Sequence, residues 1–244
     1  MENRAVLEMR GICKYFPGVR ALQDVDFTLR EGEIHALMGE NGAGKSTLIK
    51  VLTGVYPKDG GEIHIQGHQG AANIRSPQDA QNMGISTVYQ EITLCPNLTV
   101  AENMFIGRTK GVRTDWGMMN RRTKEILDSL GIDIPPTQQL SDISIAMQQM
   151  VAIARAVDME CKVLILDEPT SSLDEQEVGK LFGLMRDLKA KGVGIIFVTH
   201  FLDQVYEVCD RITVLRDGQL VGEYVIEDLP RVELVIQAAG QGAG

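Results

Sequence analysis

Four cysteines in 244 residues, Cys13, Cys95, Cys161 and Cys209, are too few and too scattered for a disulfide framework. None stands in a Cys-x-x-Cys spacing, and no histidine lies near one at ligand spacing. The expectation is reduced, mostly buried thiols in a cytosolic protein. Long apolar runs are missing too. No stretch approaches the roughly 20 residues that cross a bilayer, and the opening MENRAVLEMR lacks the apolar segment of a secretory leader. A membrane role would therefore come through a partner. Positive charge is in deficit: 24 Lys and Arg face 33 Asp and Glu, for a net charge of −9. A sequence-independent nucleic-acid binder needs a basic face, and this balance argues against one. Low-complexity segments and internal repeats are absent as well.

What is present has ordinary soluble proportions, 44% hydrophobic and 23% charged, in a length that suits one large domain or two small ones. In the first third, DVDFTL (24–29) and EIHIQ (62–66) alternate apolar and polar residues, as an antiparallel sheet with one wet face does. Between them IHALM (34–38) runs straight into a glycine-rich turn. In the last third, VLIL (163–166) and IIFV (195–198) are short continuous apolar runs. They flank an amphipathic helix over 175–191, with Val178, Leu181, Phe182, Met185 and Leu188 at helical spacing. Buried strand, helix, buried strand predicts a parallel sheet covered on both faces. A hairpin follows, strands 212–215 and 220–224 around Asp217-Gly218. The middle, about 91–158, reads as helices at 100–106, 121–130 and 147–157, with Pro135-Pro136 breaking the chain before the third. It predicts a helical insertion in an α/β core, with a flexible tail or linker stub at 238–244.

GENGAGKST, residues 39–47, fits G-x-x-x-x-G-K-S/T and lies between a predicted strand and a predicted helix at 46–52, the context this motif requires. Backbone N–H groups of Gly39, Glu40, Asn41, Gly42, Ala43 and Gly44 would converge on phosphate oxygens, helped by the positive end of the helix that carries Thr47. Lys45 would reach the β- and γ-phosphates and the Ser46 hydroxyl would ligate Mg2+. LILDEP (164–169) supplies two carboxylates with separate tasks. Asp167 would hold the metal, while Glu168 would polarise an attacking water. An Asp-Glu pair closing a strand is also an ordinary polar strand end. His200 ends IIFVTH at the same sheet edge and could bond the γ-phosphate, or be a plain polar terminus. Gln90 ends a strand predicted over 85–89 and opens the helical insertion. It could touch Mg2+ or the water, and move with the insertion.

These residues in this order resemble the nucleotide-binding domain of an ABC transporter, over nearly the whole chain. The phosphate loop is GENGAGKST, the Q-loop glutamine is Gln90 in VYQE, the Walker B segment is VLILDE, the D-loop SSLD ends at Asp174, and the switch histidine is His200 in VTH. More narrowly, KYFPGVRAL, GENGAGKSTLIKVLTGVY, NLTVAENMFIGR and VTHFLDQVYEVCDRITVLRDG are similar to the ATPases of bacterial ribose, galactose and arabinose importers, the galactofuranose type most of all.

The resemblance implies an α/β P-loop NTPase (RecA-like) core with an N-terminal antiparallel β subdomain and an inserted α-helical subdomain. The expected division is one nucleotide-binding domain over 1–237, with core and β subdomain at about 1–90 and 159–237 and helices at about 91–158. It implies Mg-ATP hydrolysis that powers monosaccharide import, on the cytoplasmic face of the inner membrane. Implied partners are membrane permease subunits, indirectly a periplasmic sugar-binding protein, and a second nucleotide-binding domain. That second domain usually shares the chain, so the sequence is expected to correspond to an N-terminal half. No nucleic acid is implied. The family's aromatic ring for adenine falls on Phe16, with Tyr15 as the alternative. A soluble ABC ATPase without a transport role, or an importer ATPase for a nucleoside or another small solute, remains the alternative reading.

The family's signature, Leu-Ser-Gly-Gly-Gln, aligns here with Ile143, Ser144, Ile145, Ala146 and Met147. In a head-to-tail dimer this segment would meet the ATP held by the other domain. Ser144 as a plain helix N-cap predicts the same local geometry. Both glycines are replaced, which limits backbone approach to a phosphate, and Met147 removes an amide. The expectation is a weakened signature beside an intact Lys45, Glu168 and His200, giving one catalytic and one mainly structural ATP site per transporter.

Overall fold

A computed structural model describes residues 4–89, 94–108 and 115–230. The chain begins with two long antiparallel strands, β1 (Ala5–Phe16) and β2 (Val19–Arg30), and continues into β3 (Ile34–Met38) and α1 (Lys45–Leu52). Then come β4 (Gly60–Ile65), α2 (Pro77–Asn82) and β5 (Ile85–Val88). Three helices follow, α3 (Val100–Phe105), α4 (Trp116–Ser129) and α5 (Ile145–Asp158), and among the described residues no named strand separates them. The last part alternates: β6 (Val163–Asp167), α6 (Glu175–Ala190), β7 (Gly194–Val198), α7 (Leu202–Val208), then β8 (Arg211–Arg216) and β9 (Gln219–Val225).

The strands form two sheets, one of three in the order β2-β1-β4 and one of six in the order β5-β6-β7-β3-β8-β9. In the larger sheet β5 to β8 run parallel, and only the hairpin strand β9 is antiparallel. The continuous apolar runs have the expected cause, because each strand sends side chains into two cores. Leu164, Leu166, Ile195 and Phe197 pack with α5 and α6 on one face. Val163, Ile165, Ile196 and Val198 pack with α1 and the smaller sheet on the other. Period-two alternation therefore survives inside sequences that look uniformly apolar.

Caps fix the helix starts. Ser144 accepts from Met147 N at the head of α5, and Asp115 accepts from Met118 N at the head of α4. The latter starts the helix at Trp116 rather than Arg121, because the Asp115 carboxylate takes an N–H that the first turn leaves unpaired. The short helices α2 and α7 were not anticipated. The proline pair lies between α4 and α5, where Pro136 O accepts from Ala101 N at 2.9 Å and ties the break to α3. Residues 238–244 and Gln90 lie outside the described residues.

Candidate nucleotide site

The strand β3 is fully buried and delivers the loop 39–44 to the C-terminal edge of the larger sheet. Two of the loop's glycines have backbone angles that side chains rarely adopt, with φ of +85° at Gly42 and +104° at Gly44. At Gly39 the limit is space: a Cβ would collide with Leu215 O. Gly44 caps α1 in the left-handed conformation. From there Leu48 N bonds Gly44 O at 2.8 Å, and the helix opens toward the loop. The hairpin turn buttresses the loop, Gly218 N donating to Ala43 O at 3.1 Å.

Lys45 curls over its own loop, its Nζ donating to Gly39 O at 2.6 Å and to Glu40 O at 3.1 Å. Partial burial lowers its pKa, and the charges of Glu168 and Asp167 act in the opposite direction. The loop lysine therefore feels the negative charge at the end of β6. Asp167 closes β6, and its pKa is raised, first by burial and then by the neighbouring Glu168 charge, with Lys45 and Lys50 opposing. Glu168 follows in a left-handed backbone conformation, φ 49°, which costs a non-glycine residue about 1–3 kcal/mol. Its N–H is held by Val198 O of β7 at 2.9 Å. The bend aims its carboxylate at the next strand, where Glu168 Oε2 lies 2.9 Å from His200 Nδ1. Three adjacent strands, β6, β7 and β3, thus bring the carboxylates, the histidine and the loop to one edge.

The loop opens into a cleft of about 530 Å³ lined by Asn41 to Thr47 along one side and by Phe16, Val19, Arg20 and Ala21 at its far end. Phe16 is the ring in this cleft; Tyr15, 47% exposed, does not line it. Behind Phe16 stand two residues that sequence reasoning missed. Tyr56 meets the ring edge-on at 5.2 Å between centroids, and Lys14 Nζ lies 5.3 Å from its centroid. A separate hollow of about 240 Å³ between α2, β5 and α5 is lined in part by Tyr89, the residue before Gln90.

Asp174 is occupied as the N-cap of α6, accepting from Glu177 N at 2.8 Å while Glu177 Oε2 accepts from Asp174 N at 3.1 Å. At α5, Ser144 Oγ accepts from Met147 N at 3.3 Å, Ala146 is buried, and Ile145 stands 50% exposed beside them. Among the described residues, no group of three or more His, Cys, Asp and Glu side chains could enclose a metal ion. One carboxylate and one hydroxyl, Asp167 and Ser46, suit a cation whose other ligands are phosphates and water, the usual state of Mg2+. The crowding of Asp167 by Glu168 fits a cation there.

A family model described as ABC transporter matches residues 22–171. The chain is 53% identical to the galactofuranose transporter ATP-binding protein YtfR of Escherichia coli (strain K12) across 98% of its own length and 48% of the relative's. It is 52% identical to the fructose import ATP-binding protein FruK of Bifidobacterium longum (strain NCC 2705), across 99% of its length and 47% of the relative's. The chain thus spans about half the length of the curated relatives it matches. Among solved structures, the ADP conformation of MJ1267, an ATP-binding cassette of an ABC transporter, superposes with a TM-score of 0.83 at 26% identity, covering 96% of this chain and 99% of that one. The dimeric post-hydrolysis structure of the cassette MJ0796, bound to ADP and Pi, gives 0.76 at 26% identity, covering 91% and 100%.

Proposed function

Because the chain belongs to the ABC transporter family, we propose that it binds and hydrolyses Mg-ATP in the loop cleft and thereby powers import of a monosaccharide across a bacterial inner membrane. The observation that carries the reading is the meeting of four motif residues at one sheet edge. Glu168 and His200 are 2.9 Å apart, with Lys45 and Asp167 beside Glu168. The relatives named above, a galactofuranose transporter and a fructose import ATP-binding protein, favour a sugar. The ATP-binding family and the ADP-bound neighbours favour the nucleotide.

In this reading Phe16 stacks on adenine and the loop N–H groups hold the phosphates. Lys45 leaves its two carbonyls for the β- and γ-phosphate oxygens. Ser46 and Asp167 would hold Mg2+, which neutralises phosphate charge when bound. Glu168 accepts a hydrogen bond from the attacking water and raises its nucleophilicity. His200, whose neutral ring carries one N–H, turns that donor from Glu168 to the γ-phosphate. Water oxygen attacks phosphorus in line, the bond to the bridging oxygen breaks, and ADP leaves with that electron pair. Gln90 would touch Mg2+ or the attacking water and relay motion to the helices that follow.

The partners in this proposal are permease subunits, a periplasmic sugar-binding protein acting through them, and a second nucleotide-binding domain. No helix among the described residues is long and apolar enough to cross a membrane, so the chain would attach peripherally to the cytoplasmic face. The second domain would supply a complete signature to this chain's ATP site. In return, Ser144 and Ile145 would close the second domain's site, which holds nucleotide without hydrolysing it well.

Glu168→Gln tests the assignment. In the assembly completed by the second nucleotide-binding domain, turnover should fall by about 10²–10⁴-fold while ATP binding persists. Near wild-type turnover in that variant would remove Glu168 from the mechanism.

A further inference from the structure

Lysine is among the residues least often buried, and it is buried only when paired. Lys14 is 6% exposed, and its partner is Asp59, whose carboxylate lies 3.2 Å from Nζ. The pairing does more than neutralise a charge. Lys14 and Phe16 lie two apart at the end of β1. The ammonium stands 5.3 Å from the centroid of the Phe16 ring, over its face. Neither Lys14 nor Tyr56 lines the cleft that Phe16 enters. Both contact the ring from outside the cleft's lining.

We infer that Lys14, anchored by Asp59, is a positioning residue for the nucleotide base, acting through the Phe16 ring. Two physical effects combine. The first is orientation. Asp59 accepts from Tyr15 N at 2.6 Å as well as from Lys14, and its own N–H bonds Cys13 O at 2.9 Å. The turn after α1 thus fastens the last residues of β1, next to irregularities in that strand's pairing with β2. The bond from Tyr15 N is the largest cause of the lowered pKa of Asp59, with Lys14 adding to it, so the anchor stays ionised across the neutral range. The second effect is electronic. A cation behind an aromatic face draws π density toward itself. The front face is left less negative, and an electron-rich purine stacks on it more favourably. The same turn carries Tyr56, which sits edge-on to Phe16 and has Lys50 of α1 5.3 Å from its own centroid. Base platform and phosphate helix are therefore joined behind the cleft.

The inference rests on the reading of the cleft as an ATP site, and the test separates the two. Binding of ATP and of inorganic tripolyphosphate to the full chain is measured by calorimetry. The variants are Lys14→Met, which keeps the stem without the charge, Lys14→Arg, Phe16→Leu, and Lys14→Met combined with Phe16→Leu. Lys14→Met should weaken ATP binding by about 3–10-fold, the range of a partly desolvated cation–π contact, and leave tripolyphosphate unchanged. Lys14→Arg should restore most of the loss, and Lys14→Met should cost nothing further once Phe16→Leu is present. Equal weakening for ATP and tripolyphosphate would overturn the inference, since Lys14 would then act on the fold or the loop. Full additivity with Phe16→Leu, or unchanged ATP binding, would overturn it too. If the wild-type chain binds tripolyphosphate no more weakly than ATP, the adenine reading of the cleft fails, and the inference falls with it.

Discussion

Asp167 shows what the site costs when considered one residue at a time. Its folded-state pKa lies above the ordinary 3.8, because burial and Glu168 disfavour the charge. From 3.8 up to the raised value the folded chain keeps a proton that the unfolded chain has released. Stability of the nucleotide-free protein therefore falls as pH rises through that window. Asp167→Asn should flatten this dependence and raise the melting temperature at neutral pH, while weakening the effect of Mg2+ on turnover. Thermal denaturation at a series of pH values checks the first part, and a lower melting temperature for the variant would contradict it. Stability is thus given up at the residue meant to hold a cation, as is common at functional sites.

Among the elements, α6 offers the clearest separation of structure from chemistry. The family resemblance assigns Asp174 to the D-loop, and here its carboxylate completes a reciprocal cap with Glu177. Asp174→Ala should lower stability by about 0.5–2 kcal/mol, read as a shift in the urea midpoint, whereas Asp174→Asn should keep most of it. Loss of turnover in the Asn variant with the midpoint unchanged would show a second role for the carboxylate. What the sequence disclosed follows a similar division. GENGAGKST and VLILDE are contiguous, and their chemistry is written in consecutive residues. The buried strands announced themselves as apolar runs, and α6 as a 3.6-residue period. The six-residue α3, which buries five of its residues, was legible, whereas α2 buries only Ala80 and α7 only Val205 and Val208, too few to mark an apolar face. The support behind Phe16 escaped for another reason. Lys14 and Asp59 are 45 positions apart, and only the pairing of β1 with β4 brings them together.

On the scale of the whole molecule, the proposal makes the chain incomplete as a catalyst. Its own Lys45, Glu168 and His200 need a signature from another domain, and the one it carries has Ile145 half-exposed where the family resemblance expects glycine. Turnover by the full chain alone should stay low and rise little with protein concentration, in a sample shown to bind Mg-ATP. A steep rise with concentration would mean that ISIAMQQ serves in trans, and that two copies of this chain make two working sites.

The order β6-β7-β3 at the centre of the larger sheet has a consequence for how such a chain can change its length. Neighbouring strands are set about 4.8 Å apart by their backbone bonds. The span from the Asp167-Glu168 pair across His200 to the phosphate loop is therefore fixed by main-chain pairing more than by any side chain. A substitution in the core can loosen packing and still leave that span intact. Inserting or deleting one residue within β6 exchanges the two faces of the strand and carries both carboxylates out of register with His200. Surface turns can lengthen or shorten without moving the site, while these three strands tolerate replacement only.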